Sequence, residues 1–160
     1  MNKKFGVFDS VEELNRAAAA QLAEGDIEAL MILAEENGID EADVQDYADG
    51  IIGELATPLM AALGKLTIEE KELGTGKAME GWVSMVKDAC MRDQKLAAGV
   101  MKKDRKLSEC LGKLLKEAFE IKEQLPAEVV KAAGLRTPLY FGVPSNRRTK
   151  EIIRQYYTGG

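Results

Sequence analysis

The sequence predicts an all-α protein, a compact bundle of many short helices. Three observations carry this. Apolar residues recur at helical spacing through most of the chain, and cap residues, glycines and prolines punctuate the ends of those stripes. One stretch, Leu139-Tyr140-Phe141-Gly142-Val143, is the sole strand candidate, and it is short. At 160 residues the chain suits one domain or two small ones, and it is long enough to bury a core without staples.

The elements follow in order. Ser10-Val11-Glu12-Glu13 is a capping box, in which the Ser10 hydroxyl accepts from an early helical N–H and Glu13 reaches back. Leu14, Ala17, Ala18 and Leu22 give the stripe, and Gly25 ends it. Asp26 caps a second helix with Ile27, Leu30, Met31, Leu33 and Ala34, which exits through Asn37-Gly38. Asp40 caps a third, with Val44 and Tyr47 inward and Gly50 as its stop. Residues 51–66 are strongly apolar and restart at Thr57-Pro58, with Thr57 as cap and Pro58 in the first position.

After Gly74-Thr75-Gly76 a helix is expected around Met79–Met91, with Trp82, Val83, Met85, Val86, Ala89 and Cys90 on its buried side. Another spans Gln94–Met101. Ser108 is the expected cap of a long helix to about Glu123, with Cys110, Leu111, Leu114, Leu115, Ala118 and Ile121 inward. Pro126 opens a short helix ending at Gly134, and Thr149 is the expected cap of a last one carrying Ile152, Ile153, Tyr156 and Tyr157.

Charge is divided along the chain. Residues 1–50 hold 13 acids and three bases; residues 51–76 hold four acids and two bases; residues 77–160 hold 17 bases and ten acids. The net charge of −5 therefore conceals an acidic helical unit, expected over 1–73, and a basic one, expected over 77–160. The two can also pack as one domain. A field polarised in this way points to partners more than to a reaction.

Many of the acids are explained locally: Glu12, Glu13, Asp26, Glu28, Asp40 and Glu41 sit at helix starts, where they offset the positive end of the dipole. Glu24, Glu35, Glu36, Asp46 and Asp49 fall late in helices, where that account fails. They form either a solvated face or a surface that copies nucleic-acid charge or docks on a basic groove. Two basic clusters stand out: Lys102, Lys103, Arg105 and Lys106 in an inter-helix loop, and Arg147, Arg148, Lys150 and Arg154 around the start of the last helix. Each is either a solvated segment or a site for phosphates or an acidic protein surface.

Catalytic signals are absent from the sequence pattern. There is no histidine, which removes the commonest general base and metal ligand. Gly74-Thr75-Gly76-Lys77 lacks the earlier glycine and the following Ser/Thr of a phosphate loop. The paired carboxylates have no apolar setting or basic neighbour to tune them. Cys90 and Cys110 lie among apolar residues and read as buried, reduced thiols. The expected protein is non-enzymatic and uses no cofactor. No apolar run approaches the roughly 20 residues that span a bilayer, and Met1–Gly6 lacks the apolar stretch of a signal peptide, so a cytoplasmic location is expected.

The segments Phe8-Asp9-Ser10, Glu24-Gly25-Asp26, Leu33 to Asp40, Asp46 to Gly50 and Leu55 to Leu59 resemble small proteins of mobile elements in gut Firmicutes. Asp93, Ala97, Lys106-Leu107-Ser108-Glu109-Cys110, Ala118 and Gln155-Tyr156-Tyr157 are similar to the pattern of the PcfK-like family. That family includes conjugative-element proteins and a type II anti-CRISPR group that inhibits the RNA-guided effector nuclease of the host. Acidic residues that usually follow the tyrosine pair are replaced here by Thr158-Gly159-Gly160. The resemblance implies an inhibitor of a type II CRISPR effector nuclease, with the nuclease, alone or with its guide RNA, as partner. The alternative it implies is a nucleic-acid-binding accessory of a conjugative or plasmid element. A third expectation, from charge alone, is head-to-tail self-association of acidic and basic halves into a homo-oligomer. On charge, the partner-binding residues are Glu35, Glu36, Asp46, Asp49, Lys102, Lys103, Arg105, Lys106, Arg147 and Arg148.

Overall fold

In the computed structural model, which describes residues 3–159, the chain is mostly α-helical. Among the described residues there are nine α-helices: α1 (Val11–Ala23), α2 (Ile27–Glu36), α3 (Glu41–Ala48), α4 (Pro58–Leu73), α5 (Glu80–Arg92), α6 (Gln94–Met101), α7 (Leu107–Glu120), α8 (Ala127–Ala132) and α9 (Asn146–Thr158). A single turn of 3-10 helix, Gly76–Met79, leads into α5. The strand expected near Leu139 is two residues long: β2 (Tyr140–Phe141) pairs antiparallel with β1 (Glu123–Gln124), Glu123 opposite Phe141.

Most starts and stops follow their local chemistry. The Ser10 hydroxyl accepts from the Glu13 N–H at 3.2 Å. Glu13 reaches back one residue further than a standard capping box, to the Asp9 N–H at 3.0 Å. Asp26 accepts from the Ala29 N–H, and Thr57 accepts from the Met60 N–H ahead of Pro58.

Three expected caps differ. Asp40 holds the N-cap position of α3, but its side chain makes no capping bond. The chain enters α7 at Lys106, ahead of Ser108, so Ser108 lies inside the first turn, and the Lys106 side chain makes no capping bond. Ser145 displaces Thr149 as cap of α9 by accepting from the Arg148 N–H at 3.1 Å. Thr149 is instead buried one turn in, with its hydroxyl donating to the Ser145 carbonyl. Helix α7 ends at Glu120, short of Glu123, because residues 123–124 are drawn into the β pair; Leu115 and Ile121, expected inward, are exposed.

Helix α4 is the wall that both halves share. Helices α1, α2 and α3 pack in sequence, α1 also touches α4, and α4 packs on α5, α6 and α7; α9 closes the far side against α5, α6 and α7. One apolar core runs through all of this, from Leu14, Leu30 and Leu33 through Leu66 on α4 to Val86, Leu114 and Ile153. Each such fully buried aliphatic stabilises the fold by about 2 kcal/mol relative to exposure.

Two glycine contacts set how closely the layers approach. Gly38 (φ 69°) lies against Gly64 of α4: a Cβ on Gly38 would strike the Gly64 backbone, and one on Gly64 would strike the Asn37 carbonyl. Gly99 of α6 presses on the Tyr157 carbonyl of α9, where a Cβ would collide with main chain.

Candidate partner-binding surfaces

The four acids expected to face a partner are treated differently by the fold. Glu35 and Asp49 are exposed, Asp49 accepting from the Gln45 side chain at 3.0 Å. Asp46 is half-buried. Glu36 is drawn inward: its carboxylate accepts from the backbone N–H groups of Lys4, Phe5 (2.9 Å) and Gly6 (3.3 Å). Successive N–H groups converging on one anion form a backbone nest. This carboxylate anchors the N-terminal arm to the end of α2, so its charge is largely engaged within the molecule.

The basic loop at 102–106 is built from below by the acidic half. The Lys65 ammonium, on α4, donates to the carbonyls of Val100, Lys102 (2.9 Å) and Arg105 (2.9 Å). Those three bonds use all its donors and place a cation at the carbonyl end of α6. Burial lowers the Lys65 pKa, opposed by the nearby carboxylates of Glu69, Asp9 and Asp104. Glu69, one turn further along α4, accepts from the Leu107 N–H at 3.3 Å. Burial raises its pKa, opposed mainly by Lys65. Asp9 accepts from the Lys103 N–H at 2.8 Å.

Helix α9 holds the loop from the other side. The Tyr156 hydroxyl accepts from the Lys106 N–H at 2.7 Å and donates to Glu109 at 3.0 Å. Burial is the main cause that pushes this phenol up to about 12. The Arg105 guanidinium donates to the Tyr156 carbonyl at 3.0 Å, pairs with Asp104 at 3.1 Å and lies 5.7 Å from the Tyr156 ring centre. Arg105 is therefore a structural tie as well as a surface cation. The side chains of Lys102, Lys103 and Lys106 are exposed and form no ion pair among the described residues.

The second cluster divides in the same way. Arg147 is exposed, with a long 3.5 Å pair to Glu151. Arg148 bonds Glu117 of α7 at 2.8 Å and Glu151 at 3.4 Å. Arg154 approaches Asp93 at 3.6 Å. The fold brings parts of the two clusters together: Arg105, Lys113 and Arg148 line one shallow cleft of about 400 Å³ between α7 and α9, with Glu117 and Tyr156. A second cleft, about 310 Å³, lies between the N-terminal arm, α4 and the loop, and gathers Lys3, Lys65, Lys103 and Lys106 with Glu36 and Glu69. Lys113 and Lys65 escaped the sequence reading because neither lies in a run of bases; each joins a site only through helix packing.

Cys90 and Cys110 are buried free thiols, both pushed up to about 12 by burial, which leaves little reactive thiolate. Among the described residues no group of three His, Cys, Asp or Glu side chains is placed to hold a metal ion. No helix among them is long and apolar enough to cross a membrane. Comparison with protein-family models, with curated proteins and with solved structures finds no match.

Proposed function

We propose that the chain is a non-enzymatic inhibitor of a type II CRISPR RNA-guided nuclease. The observation that carries this reading is the fixed bipolar charge. An acid-rich N-terminal half and two clefts that gather cations are mounted on one continuous core through α4. An RNA-guided nuclease offers both complements, since its nucleic-acid channel is positively charged and its bound guide is an array of phosphates. The resemblance of residues 8–59 to small mobile-element proteins, and of residues 93–157 to the PcfK-like family, supports the same reading. The acids that engage the channel are Glu35, Asp46 and Asp49, without Glu36; the cations are Lys102, Lys103, Lys106 and Arg147.

The test is target cleavage by purified type II effector and guide, with this protein added before or after target DNA. Inhibition is expected, stronger when the protein is added first. The folded triple variant Glu35→Gln, Asp46→Asn, Asp49→Asn should inhibit more weakly. Absence of inhibition across several type II nucleases overturns the proposal.

A second reading, a nucleic-acid-binding accessory of a mobile element, is favoured by the cleft that joins Arg105, Lys113 and Arg148. It requires salt-sensitive binding of free DNA or RNA. A gel shift abolished by Lys102→Glu and Lys113→Glu would support it, whereas the inhibitor needs no such affinity.

A further inference from the structure

We infer that the chain forms a two-fold symmetric dimer through an aromatic groove formed by α5, α7 and β2. The inference does not depend on the function proposed above. The groove, about 540 Å³, is lined by Trp82, Leu115, Phe119, Tyr140, Phe141 and Val143. Its small-residue lining is Ala78, Gly81, Ala118 and Gly142. Gly142 lies so close to α7 that a Cβ would strike the Ala118 carbonyl and the Lys122 backbone, so the strand is seated tightly and the aromatic rim projects from a firm base.

Leu115, Phe119, Tyr140, Phe141 and Val143 are between 42% and 63% exposed. At about 200 Å² for a whole aromatic side chain, and somewhat less for an aliphatic one, they present on the order of 500 Å² of apolar surface. That is at the upper end of what monomeric proteins leave uncovered. A standard interface covers about 800 Å² per partner, of which roughly 56–58% is non-polar. The patch therefore matches the apolar part of one side of a dimer interface.

The occupant is a second copy because the surface is self-complementary. Projecting phenyl rings beside a small-residue lining allow the rings of one copy to enter the groove of the other, and reciprocally. This is the condition for an isologous contact, the commonest symmetry in soluble oligomers. Charge agrees with it. Lys122, the one charged side chain lining the groove, lies 5.3 Å from the Phe119 ring centre. Glu120 and Glu123 flank it in sequence, and none of the three is in an ion pair among the described residues. A second copy can supply glutamate partners for each Lys122.

The chain carries its own reporter, because Trp82, the single tryptophan, lines the groove. Sedimentation of the full chain from low to high micromolar concentration should show the mass doubling, with a blue shift of Trp82 emission over the same range. Phe119→Lys should remain monomeric at every concentration, with unshifted emission and an unchanged far-ultraviolet spectrum. The exposed strand variant Tyr140→Lys gives an independent break if Phe119→Lys fails to fold. A wild-type chain that stays monomeric throughout overturns the inference, as does a dimer that survives both substitutions. A monomer whose Trp82 emission shifts only on adding nuclease and guide also overturns it, and assigns the groove to that partner.

Discussion

The acidic and basic halves hold their charges by different means. In the first half the structural acids bond backbone N–H groups: Asp26 caps α2, Glu13 reaches Asp9, and Glu36 gathers the N-terminal arm. In the second half the structural cations reach other segments: Arg148 crosses to α7, Arg154 to Asp93, and Arg105 to α9. Lys65 is the counterpart from the first half, reaching across to support the basic loop. Charge that bonds the backbone or another helix is thus committed to folding, and charge that does neither is available to a partner.

The sharpest way to break this picture is at α4. Leu66 is fully buried there, within the core common to both halves. Leu66→Ala should cost about 2–5 kcal/mol. Urea unfolding followed by circular dichroism and by Trp82 fluorescence should still give coincident transitions, since Trp82 packs against the same core. Transitions that separate would show that the halves unfold as independent units.

A smaller effect separates two neighbours that the sequence treats alike. Glu36→Ala removes the acceptor of three backbone N–H groups and should cost about 2 kcal/mol, within the range for bonds to a charged group. Glu35→Ala removes only an exposed side chain and should fall within about 0.5 kcal/mol of the parent. Equal losses in thermal unfolding would remove the distinction between committed and available acids.

How far the sequence was legible follows from the same contrast. The caps at Ser10, Asp26 and Thr57 and the helix Gln94–Met101 were readable because their partners lie within one turn. The β pairing of Glu123–Gln124, the nest around Glu36 and the roles of Lys65 and Arg105 were not, because their partners are fixed only by packing. The charged clusters were visible in the sequence. Which members remain available, and the cleft that unites Arg105 with Arg148, needed the crossing of α7 and α9.

The interior of the second half offers a gain. The Tyr157 hydroxyl is buried and, among the described residues, has no hydrogen-bond partner. A buried polar group left unsatisfied costs about 1–3 kcal/mol, so Tyr157→Phe should raise stability by about 1 kcal/mol, read as a higher midpoint in urea. A destabilised variant would mean that the hydroxyl is satisfied in solution.

The subtlest effect belongs to the seam itself. Burial raises the Glu69 pKa, so just above the ordinary carboxylate range the folded chain holds a proton that the unfolded chain has released. Where the folded state binds more protons, stability falls as pH rises. Above the raised pKa, the charged carboxylate therefore carries its burial cost in full; below it, protonation relieves that cost. The amide of the variant Glu69→Gln does not titrate, and its side-chain carbonyl can still accept from the Leu107 N–H. The parent should accordingly gain on Glu69→Gln as the pH falls from about 7 towards about 5, even while both lose stability through other carboxylates. Thermal midpoints of the pair across that range measure the difference directly. A difference that stays flat would mean that Lys65 and the Leu107 N–H offset the burial of Glu69, and that the seam joins the two halves without a dependence on pH.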